Sequence, residues 1–184
     1  MKRNSLKILD IGCGTNKYKS SNKNTEVIGL DKVDLPDVNV VHDLNEIPYP
    51  FENNQFDIVI ANHVLEHIAN FFGVMEEIYR ILKPEGILRV MVPHFSSINA
   101  YADPTHVRFF AMKTFNYLSD RHYLSYYHSD RKINFTIRRI SFNPESNIIS
   151  RLVTSFANLH PHFYERYISR LVFPKEMEVI LQKI

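Results

Sequence analysis

Residues Leu9–Lys17, LDIGCGTNK, hold the groups best suited to chemistry. An apolar run, Leu6 to Ile11, leads into a turn in which Gly12 and Gly14 flank Cys13. Glycine reaches backbone angles closed to other residues and lets a ligand approach the main chain. Asp10 sits at the lip of this turn. A second apolar run, Glu26 to Leu30, ends on Asp31 with Lys32 beside it. A carboxylate about 20 residues past a glycine turn, at the tip of the next strand, can accept both hydroxyls of a ribose. These residues predict a nucleoside-binding opening and a cofactor of adenosine type.

The nature of that nucleoside follows from what is missing. A dinucleotide fingerprint needs a third glycine for close helix–strand packing beneath a pyrophosphate, and Lys17 stands there instead. Residues Thr15 to Thr25 are short and polar, with no apolar stripe for a packed helix. A pyrophosphate seat on a helix N-terminus is therefore poorly supported. A phosphate-free cofactor fits better, and S-adenosylmethionine is the natural one.

At this point the chain resembles the class I S-adenosylmethionine-dependent methyltransferases. The run VVHDLNEIPYPFENNQFDIVIANHVLEHI, Val40 to Ile68, is similar to the third and fourth strands of that family with their loops. EIYRILKPEGILRVMVP, Glu77 to Pro93, is similar to its helix, turn and fifth strand. The resemblance covers about the first half of the chain. It implies that Asp43, with Leu44 beside it, meets the adenine amino group, and that Asn62 and His63 carry cofactor and substrate contacts. It also implies a terminal antiparallel strand inserted beside the fifth, seven in all. Two departures are the short first crossover and a start directly at the first strand, without helices that close over the cofactor. The segment after the fifth strand, or a second subunit in a homodimer, is then expected to act as the lid.

Substrate chemistry is expected in PHFSSINAYADPTHVRFFAMKTFNYL, Pro93 to Leu118, which crowds His94, Tyr101, Asp103, His106 and Arg108 together. An oxygen acceptor must lose a proton, and a histidine base suits that task, contributing roughly 10²–10⁴-fold in rate. His94 is the first candidate, then His106 or His63, with Asp103 orienting the imidazole. Tyr101 and Arg108 are candidate substrate contacts. His106 could instead cap a helix expected from Val107 to Leu118. The DPTHVR run, Asp103 to Arg108, resembles a stretch of small methyltransferases of surface-polysaccharide and lipid-type pathways. The implied acceptor is a small molecule or a glycan or lipid-linked group, methylated at oxygen. Asp103 and His106 are spaced closely enough to bind a metal, but no other close ligand set is apparent to complete the site, so no metal is expected. Asn62-His63-Val64 lacks the Asn/Asp-Pro-Pro-Tyr pattern that grips a base nitrogen, and Cys13 is the only cysteine. Base-specific nucleic-acid binding is therefore not expected. A non-catalytic S-adenosylmethionine-binding or partner-regulating protein is the alternative reading.

The elements that position these groups are legible in the apolar periodicity. Val64, Ile68, Phe71, Phe72, Met75, Ile78 and Leu82 recur at helical spacing, and Lys83-Pro84-Glu85-Gly86 supplies a stop. Apolar strands alternating with helices predict an α/β fold, a Rossmann-like doubly wound, mostly parallel seven-stranded sheet with helices on both faces. Ligands of such sheets lie beyond the carboxyl ends of the strands, where Asp10 to Gly14, Asp31, Asp43, Asn62–His63 and Pro93–His94 all fall. Ile133 to Phe142 and Glu176 to Ile184 alternate like strands. Ile148 to Phe173 reads as helical segments broken at Pro161.

With 184 residues, the chain has the length of one domain, with residues 1–93 as the cofactor half and 94–184 facing substrate and completing the fold. Residues 1–92 hold 10 Lys and Arg against 13 Asp and Glu, while 93–184 hold 12 against 7. That modest basic excess forms no dense stripe for nucleic acid. Arg151, Arg166 and Arg170 among Phe and Tyr could dock a membrane surface, with core packing as the other reading. No apolar run approaches the ~20 residues of a span, and the apolar stretch in MKRNSLKILDIG is too short for a signal peptide. A lone cysteine suits a reducing compartment, so a cytoplasmic location is expected.

Overall fold

The computed structural model describes residues 5–119, 133–171 and 174–184. The strands are β1 (Leu6–Ile11), β2 (Thr25–Asp31), β3 (Val40–Val41), β4 (Phe56–Asn62), β5 (Leu82–Val92), β6 (Phe135–Asn143) and β7 (Glu176–Lys183). The helices are α1 (Phe71–Ile81), a short α2 (Asn99–Ala102) and α3 (Ile148–Leu159). All seven strands form one sheet in the order β3-β2-β1-β4-β5-β7-β6. The first five pair in parallel, and β7 runs antiparallel between β5 and β6. The expected Rossmann-like α/β sheet and its inserted last strand are both present.

The central strands are apolar on both faces because both faces are covered. Leu9 and Ile11 of β1, Val59 and Ala61 of β4, and Leu88 and Val90 of β5 are buried on one face, and Ile8 of β1 and Ile60 of β4 on the other. Helix α1 lays Phe71, Val74, Met75, Ile78 and Ile81 against the core. Its first turn is capped by Asn70, whose side chain accepts from the Gly73 N–H at 3.2 Å, satisfying one otherwise orphaned donor.

Four expectations are corrected. The helical stripe does not start at Val64: a 3-10 turn covers Leu65–His67, and the helix begins only after Asn70. At its other end Leu82 already belongs to β5, and Lys83-Pro84-Glu85-Gly86 bulges between the pairs Phe56↔Leu82 and Ile58↔Ile87. No helix runs from Val107. Residues 107–111 are extended, because the Val107 and Arg108 N–H groups donate to the Glu66 carbonyl and Phe110 bridges to His94, and a 3-10 helix follows over Met112–Leu118. Finally, α3 turns Ser150, Thr154 and Ala157 inward, and its large apolar residues, Leu152 at 68% and Leu159 at 76% among them, face outward. Core packing does not account for that stripe. The helical path does break at Pro161, continuing in a π-type turn over Tyr164–Ile168. The last residues of the Ile148 to Phe173 expectation, 172–173, lie outside the described residues.

Candidate functional site

The carboxyl ends of β1, β2 and β4 and the loop after β3 converge on a cavity of about 410 Å³. Gly12, Asp31, Lys32, Asp43, Leu44, Asn45, His63, Val64, His67, Ile68 and Thr105 line it, a volume within the range of small-molecule sites. This is the rim at which open α/β sheets hold their ligands. Gly12, Asp31, Lys32, Asp43, Leu44 and His63 were expected there. Asn45, Val64, His67, Ile68 and Thr105 were not assigned. A signal existed for Val64, His67 and Ile68, since they continue directly from the tip of β4.

The glycine turn is shaped for close approach. Gly12 and Gly14 adopt φ values of +64° and +52°, and no helix follows before β2 among the described residues. Gly14 donates its N–H to Asp31 Oδ2 at 2.9 Å, tying the turn to the tip of β2. Asp31 Oδ1 accepts from Val33 at 3.1 Å. Each oxygen keeps a second acceptor site for a ligand hydroxyl. Asp10 is only 3% exposed and does not line the cavity. Its Oδ2 accepts from the Tyr18 N–H at 2.7 Å, so it braces the turn from behind. Burial lifts its pKa above the usual carboxylate range. Cys13 is buried, and desolvation with the nearby Asp10 and Asp31 charges pushes its thiol to about 11. It is a small packing residue rather than a nucleophile.

A Cβ on Gly12 would stand 2.6 Å from Val64 Cγ2 and 2.9 Å from Val64 Cβ. The left-handed backbone adds roughly 1–2 kcal/mol of strain for a residue with a side chain. Gly12→Ala is expected to displace Val64 into the cavity and weaken cofactor binding at least tenfold by calorimetry. Chemical denaturation should show a stability loss of about 2 kcal/mol.

In the loop after β3, Asp43 Oδ1 accepts from the Asn45 N–H at 2.8 Å and from its side-chain amide at 3.0 Å. The Asn45 backbone bond leads in holding its carboxyl below the usual range. Leu44, Val64 and Ile68 supply the apolar surface of the cavity. Asn62 lies just behind, its Oδ1 buried without a hydrogen-bond partner. This set of carboxylates, glycine turn, apolar walls and an orphaned acceptor fits an adenosyl group without phosphates.

His63 sits at φ +52°. Its Nε2 lies 3.2 Å from Glu176 Oε1, and its Nδ1 lies 3.3 Å from Glu66 Oε1. Glu66 forms no hydrogen bond through either oxygen, so the second contact is an ion contact lacking hydrogen-bond alignment. Glu176 first, then Glu66, raise the imidazole to about 9, and Glu176 falls to about 2. A folded pKa raised above 6.5 means that His63 keeps its proton at neutral pH and releases it only as pH passes about 9. This corrects its candidacy as a base: an imidazolium has no lone pair to offer. NMR titration of the His63 ring is expected to give a midpoint near 9, against about 6.5 for an ordinary histidine.

His94 is also corrected. It is fully buried, with Nδ1 2.8 Å from Ser96 Oγ and Nε2 3.2 Å from Glu165 Oε1, and its ring meets Phe95 and Phe142. Glu165 Oε1 also accepts from the Met112 N–H at 2.6 Å. His94 thus joins the segment after β5 to the turn after α3, and neither nitrogen faces a ligand. Arg108 turns aside as well: its guanidinium lies over Phe71 at 5.0 Å and donates to the Ala69 carbonyl. Tyr101 is exposed and stacks on Phe109.

Asp103 and His106 line a groove beside the cavity, together with His63, Glu66, His67, Pro93, Asn99, Ala102 and Pro104. His63 and His67 belong to both hollows. His106 does not cap the 3-10 helix, which starts at Met112. Its Nδ1 binds the Ala100 carbonyl at 3.0 Å. Asp103 Oδ2 lies 4.0 Å from His106 Nε2, too far to orient the ring.

Fold and rim together define an α/β protein with a ligand-sized cavity at the carboxyl ends of its parallel strands. A family model described as a methyltransferase domain matches residues 9–90, somewhat under half of the chain. An uncharacterised protein of Methanocaldococcus jannaschii is 34% identical over 98 residues, 50% of this chain and 42% of its own length. The demethylmenaquinone methyltransferase of Staphylococcus saprophyticus is 28% identical, over 47% of this chain and 44% of its own. The aligned part spans less than half the length of these curated relatives. Among solved structures, a SAM-dependent methyltransferase from Archaeoglobus fulgidus superposes with a TM-score of 0.62 at 22% identity, covering 98% of this chain and 87% of the other. The [4+2]-cyclase SpnF superposes at 0.58 and 18%, covering 98% and 75%, so this architecture also carries a reaction other than methyl transfer.

Proposed function

We propose that the protein transfers a methyl group from S-adenosylmethionine to an oxygen of a small-molecule, glycan or lipid-linked acceptor. The single observation behind this reading is the pair of joined hollows, a cofactor-shaped cavity opening through His63 and His67 onto a polar groove. The sulfonium supplies an activated methyl group and a good leaving group. Asp31 would hold the ribose, Asp43 the adenine amino group, and Leu44 and Ile68 the faces of the adenosyl group. The groove would hold the acceptor in line, so that positioning and water exclusion carry most of the acceleration. His63, cationic at neutral pH, would set the charge of the rim rather than take a proton.

The outward apolar stripe of α3, with Leu152, Phe156 and Leu159 beside Arg151, supports an acceptor presented at a lipid surface. Among the described residues no helix is long and apolar enough to cross a membrane. The test is transfer of a radiolabelled methyl group from S-adenosylmethionine into a host extract, fractionated into aqueous and lipid pools. Label in an ether-type product of either pool supports the reading, and enrichment in lipid supports the surface acceptor. A cofactor-loaded protein that labels nothing would favour a non-catalytic binding role.

A further inference from the structure

We propose that Glu66, His67 and His106 form a divalent transition-metal site in the wall between the cofactor cavity and the acceptor groove. One ligand atom from each of these residues lies within 4.8 Å of the other two. Three ligands at about 2.0–2.2 Å from a common ion stand roughly 3–3.6 Å apart, so small side-chain rotations close the set. The sequence showed Asp103 and His106 as an isolated pair; folding brings Glu66 and His67 across to His106 through the bonds from Val107 and Arg108 to the Glu66 carbonyl.

The hydrogen bonds behind each ring fix which nitrogen is available. The Ala100 carbonyl can only accept, so the proton of a neutral His106 is on Nδ1 and its lone pair is on Nε2. Thr105 directs its hydroxyl proton to Asp103 Oδ1 at 2.6 Å. Thr105 Oγ1 must then accept from His67 Nδ1, 2.9 Å away, leaving the His67 lone pair on Nε2 too. The rings meet edge to face, with centroids 4.7 Å apart. This arrangement, in which each imidazole donates its far N–H to an oxygen, is typical of metal-binding histidines. The independent observation is Glu66. Its side chain is 1% exposed, and both carboxylate oxygens lack a hydrogen-bond donor. His63 Nδ1 stands 3.3 Å from Oε1 without hydrogen-bond alignment, which leaves Oε2 without any donor. A buried carboxylate in that state is costly, and a metal cation supplies what is missing.

Two imidazoles and one carboxylate suit Zn²⁺, Fe²⁺, Co²⁺ or Ni²⁺ better than Mg²⁺ or Ca²⁺. Three protein ligands leave a coordination position open. Pro93, Asn99 and Asp103 line the groove outside, so that position faces where an acceptor oxygen would lie. Only this last role rests on the proposed methyl transfer.

The test uses the full chain, dialysed against a chelator and titrated with Co²⁺ without cofactor, following visible ligand-field absorption. Saturation at one equivalent is expected. His106→Ala and Glu66→Gln should each weaken the uptake at least tenfold, and Thr105→Val about tenfold through loss of the His67 orientation. S-adenosylmethionine binding is measured on the same samples. Parent protein that takes up no stoichiometric cobalt overturns the site, as do His106→Ala and Glu66→Gln samples that bind cobalt like the parent. Loss of cofactor binding with cobalt uptake intact would overturn the proposed function and leave the site standing.

Discussion

Asp31→Ala is expected to weaken S-adenosylmethionine binding by more than about a hundredfold. Hydrogen bonds to a charged group are each worth about 1.5–3 kcal/mol, and about 1.4 kcal/mol is a factor of ten in affinity. Two ribose hydroxyls on one carboxylate therefore put the loss near 3 kcal/mol or above. Asp31 also receives the Gly14 N–H at 2.9 Å, so its removal frees the turn that the cofactor must meet. Asp31→Asn retains one carbonyl acceptor and should fall between parent and Asp31→Ala. Calorimetry on samples with matched unfolding midpoints decides the matter, and alanine binding as tightly as the parent would remove the ribose from β2.

The largest stability effect is expected at Glu77, away from the cavity. Its Oε2 accepts from the Tyr49 N–H at 2.6 Å and from Arg80 at 2.8 Å, while Oε1 accepts from Arg80 Nε at 2.9 Å. Arg80 in turn holds the Tyr49 and Phe51 carbonyls, so one carboxylate organises the turn that leads into β4. Glu77→Ala removes the counter-charge of Arg80, leaving it only its neutral acceptors, and strands the Tyr49 N–H, at about 2–4 kcal/mol. For a chain of this length that lowers Tm by roughly 5–12 °C. Burial raises the Glu77 pKa, but Arg80 and the Tyr49 N–H more than offset it and leave it below 4.5. A folded value below the unfolded one means that this stability is fully present above about 4.5 and is lost as pH falls through the folded value. Urea midpoints of the parent should therefore drop more steeply between pH 6 and pH 3 than those of Glu77→Gln.

The two halves of the site differed in how far the sequence revealed them. Asp31 and Asp43 were visible because each lies where an apolar run stops, and a strand's end is set by local pattern. The glycine turn was visible because positive φ singles out residue type. His94 misled because adjacency to a strand tip says nothing about which way a ring turns. Phe95, Phe142 and Glu165 surround it, and two of them come from distant parts of the chain. His63 looked like a free imidazole for a similar reason, since Glu176 is contributed by β7. The residues after His106 combined helix-compatible spacing with a tertiary demand, the Glu66 carbonyl, and the tertiary demand prevailed. The outward apolar stripe of α3 was readable as amphipathic, but amphipathicity does not tell which side faces water.

The place of β7 has a consequence for biogenesis. It is made after β6 yet must slot between that strand and β5, so β6, at the edge of the sheet beside β7, cannot join it before β7 is made. Long-range pairings of this sort slow assembly. Glu176 heads β7 and meets His63, so the protonated rim is completed only once translation has passed it. A nascent chain therefore cannot hold its ligand prematurely with a finished set of charges.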